Sequence, residues 1–265
     1  RDYYASRGLG DVYKRQLEKQ DSLLREYALK WLEKYPDNQV AQHMGNAVLN
    51  RAVRPRANDE YLKNIFDIFA PDFEQVLTGL DYRAPELIRC LLEEIYGSKK
   101  SPRLRILDAG CGTGFCGGFL KKYSSFRGLY GVDISEKMLE QAQAKKVYSH
   151  LLQSELEQYF SQAKTKFDLI VSADVFTYFG SLEKLLSGMA DSLSAGGRVI
   201  FTVSENNLND DDYFLHSSGR YLHHQNYVGK VLEKVGFEVE KLERAKLRNE
   251  GENIVYGYVV SALKK

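Results

Sequence analysis

The sequence is poor in the residues that fix an architecture by special chemistry. Among 265 residues there are 3 Cys, 3 Met, 1 Trp and 5 Pro. An odd number of cysteines implies no disulfide framework and points to a reduced, cytoplasmic setting. Cys111 and Cys116 lie close together, but no second Cys/His pair at ligand spacing follows, so no metal site is expected. His223 and His224 are adjacent, and neighbouring side chains point apart on a helix or a strand. Charge of one sign is also missing, with 37 Lys plus Arg against 36 Asp plus Glu. The basic residues are scattered, so nucleic acid is not expected as a partner. No apolar run approaches the ~20 residues of a membrane helix. The most apolar stretches, Phe167–Val171 and Val255–Leu263, are short, so no membrane partner is expected either. Apolar residues are not lacking overall: 43% of the chain is enough for a full core.

The chain begins at Arg1, which suggests a fragment or a processed product. Asp11-Val12-Tyr13-Lys14-Arg15-Gln16 resembles translated adapter sequence. Residues 1–16 are therefore set apart as a non-native or disordered end. Residues 17–58 read as helical. Leu24, Tyr27, Ala28, Trp31, Leu32 and Tyr35 form one amphipathic stripe and Val40, Met44, Ala47 and Val48 a second, with Pro36-Asp37-Asn38 between. Residues 53–60 are polar, carry Pro55 and read as a linker. Residues 59–99 read as a helical cap, with Phe66, Phe69 and Phe73 on one helix face and a second helix opening at Ala84-Pro85-Glu86.

From residue 100 onward, short apolar strands alternate with helices. The strands are Leu104–Leu107, Leu129–Val132, Phe167–Ser172 and Arg198–Val203, and this alternation implies a parallel sheet covered on both faces. The tail differs. A helix with Val228, Val231, Leu232 and Val235 stops at Gly236. Two strands, Phe237–Leu247 and Asn253–Leu263, then form a hairpin that is expected to close the sheet with an antiparallel edge.

The chemistry concentrates after the first strand. In Asp108-Ala109-Gly110-Cys111-Gly112-Thr113-Gly114, three alternate glycines allow a tight turn and close approach to a ligand. Phe115 stands where a dinucleotide fingerprint needs its third glycine, which disfavours a pyrophosphate. Asp108, just before the loop, suits a ligand with an ammonium group. Asp133 ends the next strand, where a carboxylate can accept both ribose hydroxyls. Its alternative is a helix N-cap, a role that Ser135 can fill instead.

Together with Val132-Asp133-Ile134-Ser135-Glu136-Lys137-Met138-Leu139, this loop resembles the first two motifs of class I S-adenosylmethionine-dependent methyltransferases. The resemblance covers roughly residues 100–262. It extends to Phe167–Phe176 and to Ala195-Gly196-Gly197 before the next strand. It implies an α/β fold, a Rossmann-like seven-stranded sheet with an antiparallel last strand, here preceded by a helical amino-terminal region. It also implies S-adenosylmethionine as cofactor. Gly110, Gly112 and Gly114 would line its methionine and ribose portion, and Asp108 would sit near its ammonium. Asp133 would hold the ribose, with Ile134 and Met138 beside the adenine. Glu155 and Leu156 would meet the adenine edge, unless Glu155 is a solvated helix residue. Asp174, in the loop after the fourth strand, joins the cofactor set.

A narrower resemblance links Phe66–Glu74, Leu80–Glu86 and Ser217–His224 to bacterial predicted methyltransferases with tetratricopeptide repeats. The 17–58 segment would then be a repeat remnant, and the amino-terminal helices could meet a protein partner. Within the resemblance, His223 is the candidate base, with a surface or capping histidine as its alternative; Tyr178, Tyr221 and His216 follow. Arg83 either pairs with a carboxylate of cofactor or substrate or caps a helix. Asp174-Val175-Phe176-Thr177 lacks the Asn-Pro-Pro-Tyr/Phe pattern of adenine and glutamine methylation. The expected acceptor is a small molecule or a carrier-bound acyl group. The alternative is a repeat-containing interaction protein that acts on a protein acceptor or does not turn over. The helix carrying Phe66 either packs on the outside of the sheet domain or closes over the cofactor as a lid, with Tyr61 and Tyr82 near the acceptor. A chain shortened to begin near Lys100 is expected to fold.

Overall fold

The computed structural model describes residues 21–51, 54–97, 103–251 and 253–265. The 1–16 segment lies outside them, as does the start of the first predicted helix. The described residues up to Arg54 join Leu215–Arg220 in one unit, and Pro55–Phe214 join Tyr221–Lys265 in another.

The first unit holds α1 (21–34) and α2 (Gln39–Leu49). Asn38 starts α2 by accepting the Ala41 N–H at 2.9 Å, and Asn50 ends it in a left-handed conformation. The helices approach closely at Gly45, where a Cβ would lie 2.8 Å from Leu32 Cγ. His43 Nε2 lies 2.8 Å from the Gly219 carbonyl oxygen. The expected stripes exist, but part of the first stays in solvent: Tyr27 is 61% and Trp31 38% exposed.

The second unit opens with α3 (Asp59–Phe69), a single 3-10 turn (Ala70–Asp72), α4 (Phe73–Gly79) and α5 (Ala84–Tyr96). The alternating region follows as β1 (Leu104–Ala109), α6 (Gly117–Leu120), β2 (Ser124–Asp133), α7 (Glu136–Ala144), β3 (His150–Gln153), α8 (Leu156–Gln162) and β4 (Phe167–Ser172). Then come a 3-10 turn (Phe176–Tyr178), α9 (Glu183–Ser192), β5 (Leu193–Ser204), β6 (Tyr213–Leu215), β7 (Tyr221–His223), α10 (Gln225–Lys234), β8 (Phe237–Glu250) and β9 (Asn253–Lys264). The main sheet has seven strands in the order β3-β2-β1-β4-β5-β9-β8. β1 to β5 run parallel, and β9 runs antiparallel to both neighbours.

Strand periodicity sorts the core into two layers. Ile106, Leu129, Leu169 and Ile200 pack with Ile88, Leu91 and Leu92 of α5. Leu107, Val132, Ile170 and Val199 face the other way, with Leu185, Leu186 and Met189 of α9 and Val228 and Leu232 of α10. Each fully buried aliphatic side chain contributes about 1.5–3 kcal/mol.

The tail hairpin closes the sheet as expected, with β9 against β5 and β8 as the antiparallel border. Other expectations change. β3 has no apolar run, since it is short and three of its four residues are exposed. Residues 54–60 are no slack linker. The Pro55 carbonyl accepts the Gly180 and Ser181 N–H groups, and the Ala57 N–H donates to the Tyr178 carbonyl. Phe66 and Phe69 do not share a helix with Phe73, because the Ala70–Asp72 turn, carrying Pro71, intervenes. Phe69 is left half exposed. A chain starting near Lys100 would lose α5 and uncover the part of the sheet that Ile88, Leu91 and Leu92 cover, so it is not expected to fold independently.

Candidate functional site

The carboxyl ends of β1 and β2 place Asp108 and Asp133 on either side of the glycine loop. Gly110, Gly112 and Gly114 all have positive φ (76°, 53° and 85°), a region that strains other residues. At Gly110 a Cβ would strike Val175 Cγ2 at 2.3 Å. At Gly112 the nearest atom is Phe73 Cε1 at 3.7 Å.

Asp133 ties the loop to the second strand. Its Oδ2 accepts the Gly112 N–H at 2.8 Å and its Oδ1 the Ser135 N–H at 2.9 Å. Ser135 caps α7 by accepting the Met138 N–H at 3.1 Å, so Asp133 is not the cap. Burial pushes the Asp133 carboxyl up to about 6, opposed by the N–H groups of Ser135, Gly112 and Ile134. Asp108 is buried too, and its Oδ2 accepts the Tyr148 hydroxyl at 2.6 Å. Burial raises it to about 7; the Tyr148 bond lowers it and the Asp133 charge raises it. Burial also raises the Cys111 and Cys116 thiols, which stay protonated.

The helices before the sheet close over this loop. Glu74 Oε1 accepts the Thr113 hydroxyl at 2.7 Å and pairs with Lys145. Asp67 Oδ1 accepts the Ser135 hydroxyl at 2.6 Å and the Lys137 N–H at 3.3 Å. The Ala70 carbonyl accepts from the Gln141 amide. Phe66 meets Phe73 and Tyr178 edge-on at 6.3 and 5.4 Å between ring centroids, and Tyr82 meets Phe115 at 6.3 Å. Burial raises the Tyr82 hydroxyl well above its ordinary value, so it keeps its proton.

The remaining candidates fall out differently. Ile134 is half-buried in the bend before α7, next to Asp133. Met138 is fully buried, because the Ser135 cap turns it into the core; it offers no surface to an adenine. Glu155 is not a solvated residue. It caps α8, accepting the Glu157 and Gln158 N–H groups at 2.9 and 2.8 Å, beside buried Leu156. The Ser154 N–H bonds the Asp133 carbonyl at 2.9 Å, which keeps this corner against β2. Asp174 has φ +57°, and both its oxygens lie 3.1 Å from Arg248 Nη1. The structure thus gives Asp174 an ion pair, and Val175 is the side chain nearest Gly110.

His223 is no accessible base. It is fully buried, with Nε2 2.7 Å from the Phe179 carbonyl and 3.2 Å from that of Gly180. Two carbonyls require the proton on Nε2, so Nδ1 is the bare nitrogen, and it has no hydrogen-bond partner among the described residues. Burial lowers the ring to about 4. Tyr221 is also buried in the core, and His216 Nδ1 lies 2.9 Å from Ser218 Oγ. Arg83 pairs with Glu86 at 3.0 Å. No group of three His, Cys, Asp or Glu that could hold a metal occurs among the described residues. No helix among them is long and apolar enough to cross a membrane.

Four contributors had weak signals or none. Asp67 and Glu74 look like ordinary surface acids of helices. Tyr148 stands in an irregular segment before an unread strand. Arg248 is 2% exposed although it lies in a strand. A register shift between Lys246 and Arg248 accompanies it, and such bulges re-aim side chains.

The glycine cradle and two carboxylates fit an adenosine-type ligand that carries a cation. Comparison with known proteins bears on the fold and on what the chain resembles. Residues 107–201 match the family model described as a methyltransferase domain. Human methyltransferase-like protein 27 is 43% identical over 89 residues, 33% of this chain and 35% of that protein. The malonyl-[acyl-carrier protein] O-methyltransferase of Priestia megaterium is 26% identical over 151 residues, 56% of this chain and 53% of that protein. The chain thus spans about a third to a half of these relatives' lengths. The magnesium protoporphyrin IX methyltransferase of Synechocystis PCC 6803 with bound S-adenosylhomocysteine superposes with a TM-score of 0.62. It is 19% identical, covering 78% of this chain and 100% of that one. At that identity the likeness shows the fold alone: an α/β, Rossmann-like methyltransferase fold with an antiparallel last strand.

Proposed function

We propose that this chain, which carries a class I S-adenosylmethionine-dependent methyltransferase domain, transfers a methyl group to a small-molecule or carrier-bound acceptor. One observation supports this reading above the others: Asp108 and Asp133 flank a left-handed glycine loop that α3 and α4 cover. The residues present fit the cofactor. Asp133 would accept ribose hydroxyls on lone pairs that the Gly112 and Ser135 N–H groups leave free. Asp108 would face the ammonium, and the glycines would admit the chain between them. Glu155 with Leu156 and Ile134 would border the adenine.

When bound, S-adenosylmethionine supplies an electrophilic methyl on a sulfonium. The protein's task is positioning and exclusion of water. Phe66 meets Phe73 and Tyr178, Phe73 lies over Gly112 and Tyr82 meets Phe115; these rings would keep water from the sulfonium. Tyr82 holds its proton and His223 is sealed from the site. The acceptor that suits these groups is one already ionised at neutral pH, such as a carboxylate or an acidic hydroxyl, which needs no base. Calorimetry with S-adenosylhomocysteine against NAD tests the cofactor, and release of S-adenosylhomocysteine with pooled metabolites tests turnover. Binding of NAD in place of S-adenosylhomocysteine would overturn the reading.

A second reading keeps support from the first unit. An apolar groove of about 460 Å³ is lined by Leu24, Tyr27, Trp31, Met44 and Val48. Such a patch suits a protein partner, and the two helices would then play the part of the tetratricopeptide-like remnant expected from the sequence. The protein would then act on a protein acceptor.

A further inference from the structure

Tyr148 lies between α7 and β3, outside both motifs, yet three glycines make room for its ring. A Cβ would lie 2.9 Å from its Cε2 at Gly114, 2.8 Å from its Cζ at Gly117 and 3.1 Å from its Cδ1 at Gly131. These glycines come from the loop, the start of α6 and β2. The ring is thus boxed under the loop with one polar outlet, its hydroxyl, which donates to Asp108 Oδ2 at 2.6 Å. An apolar wedge would need no hydroxyl there.

We propose that Tyr148 is a positioning residue for the cofactor: its hydroxyl fixes the orientation of the Asp108 carboxylate that receives the ammonium group. This rests on the methyltransferase reading above. The bond donates to the charged form, and so favours it against burial. The groups that bear on Asp108 are Tyr148 and Asp133, with the thiols of Cys111 and Cys116 sensing the same charge. Asp133 disfavours the Asp108 charge, so Tyr148 is the group on hand that opposes both burial and Asp133. With Oδ2 occupied by the hydroxyl, an incoming cation is directed to the other oxygen.

The test is calorimetry from pH 6 to 8.5 on the parent, Tyr148→Phe, Asp108→Asn and the double variant. Two probes are used: S-adenosylhomocysteine, and 5′-methylthioadenosine, which lacks the amino acid and its ammonium. Phenylalanine keeps the ring in its box, and a melting curve confirms folding. In the parent, affinity for S-adenosylhomocysteine should fall as pH drops through about 7, where Asp108 takes up a proton. In Tyr148→Phe that fall should move to higher pH, with a loss of roughly tenfold at pH 7 that shrinks toward pH 8.5. Affinity for 5′-methylthioadenosine should not change, and its own pH response reports Asp133. In the Asp108→Asn background, Tyr148→Phe should add no further loss. Unchanged S-adenosylhomocysteine binding in Tyr148→Phe, or an equal loss for both probes at every pH, would overturn the proposal alone. A folded parent that binds neither probe would overturn the methyltransferase reading with it.

Discussion

Loosening α3 and α4 offers a sharp test of whether they act as a lid. Two acids fasten them to the cofactor motifs. Asp67 accepts from Ser135 and Lys137, and Glu74 accepts from Thr113 and pairs with Lys145. Replacing both by alanine removes these bonds and leaves Phe66 and Phe73 in place. A hydrogen bond to a charged group contributes about 1.5–3 kcal/mol when shielded. Glu74 is 43% exposed, so solvent screening reduces its share to about 1 kcal/mol. Asp67 is half-buried, and the lower end, about 1.5 kcal/mol, applies. The sum, about 2.5 kcal/mol, lowers the closed-to-open ratio by roughly 70-fold.

Native-state hydrogen exchange reads that ratio directly. Amides of Asp59–Phe69 and Phe73–Gly79 should exchange some tens of times faster in the double variant. Amides of β4 should exchange at their original rate, since Phe167–Ser172 is held by β1 and β5. S-adenosylhomocysteine should bind more weakly and slow the exchange when it does. Unchanged exchange in α3 and α4 would refute the reasoning. So would equal acceleration in β4, which would mean that the helices open only with the whole domain.

Other outcomes follow from single sites. Asp133→Ala should weaken S-adenosylhomocysteine binding by roughly 10- to 150-fold. It should also lower the melting temperature, because it strands the Gly112 and Ser135 N–H groups; calorimetry and a melting curve check both. Asp108→Asn should raise the stability of the ligand-free protein at pH 8, by at most about 4 kcal/mol, while weakening cofactor binding. That gain should vanish toward pH 4 in denaturant titrations. His223→Ala should destabilise the protein by about 2–4 kcal/mol at pH 8, through a lost buried hydrogen bond and a cavity. The folded fraction should keep its cofactor affinity, and a loss of binding with stability intact would return His223 to the site. A chain beginning at residue 103 should aggregate or melt without a cooperative transition, since it lacks the buried Ile88, Leu91 and Leu92.

The sheet was legible because its strands carry apolar runs between breakers. Leu104–Leu107 and Phe167–Ser172 read as strands for that reason. β3 was not, since His150–Gln153 pairs with β2 through its backbone and needs no apolar pattern. The glycine loop with Asp133 was legible because left-handed turns and a terminal carboxylate leave few alternatives. The site's supports were not. Asp67, Glu74, Tyr148 and Arg248 act on residues 68, 39, 40 and 74 positions away. No local spacing encodes such contacts. His223 misled because a histidine in the segment after the fifth strand looks accessible. The carbonyls of Phe179 and Gly180 that bury its Nε2 come from a turn 43–44 residues earlier.

These buried groups also oppose one another in pH dependence. Asp108 has its folded value raised from 3.8 to about 7. Its favourable contribution is therefore full below pH 3.8 and is lost as pH rises through about 7. His223 has its folded value lowered from 6.5 to about 4. Its contribution is full above pH 6.5 and is lost as pH falls through about 4. The windows overlap between about pH 4 and 6.5 with opposite signs. Asp108 is worth at most about 4 kcal/mol across its window and His223 roughly 3 kcal/mol across its own. Asp133, raised from 3.8 to about 6, loses stability in the same direction as Asp108, so between about pH 4 and 6 the histidine offsets only one of the two carboxylates. A sealed histidine beyond the end of β5 thus offsets a carboxylate that folding keeps buried at the end of β1. Only the carboxylate has a use for its unfavourable position, because a bound cation would stabilise it.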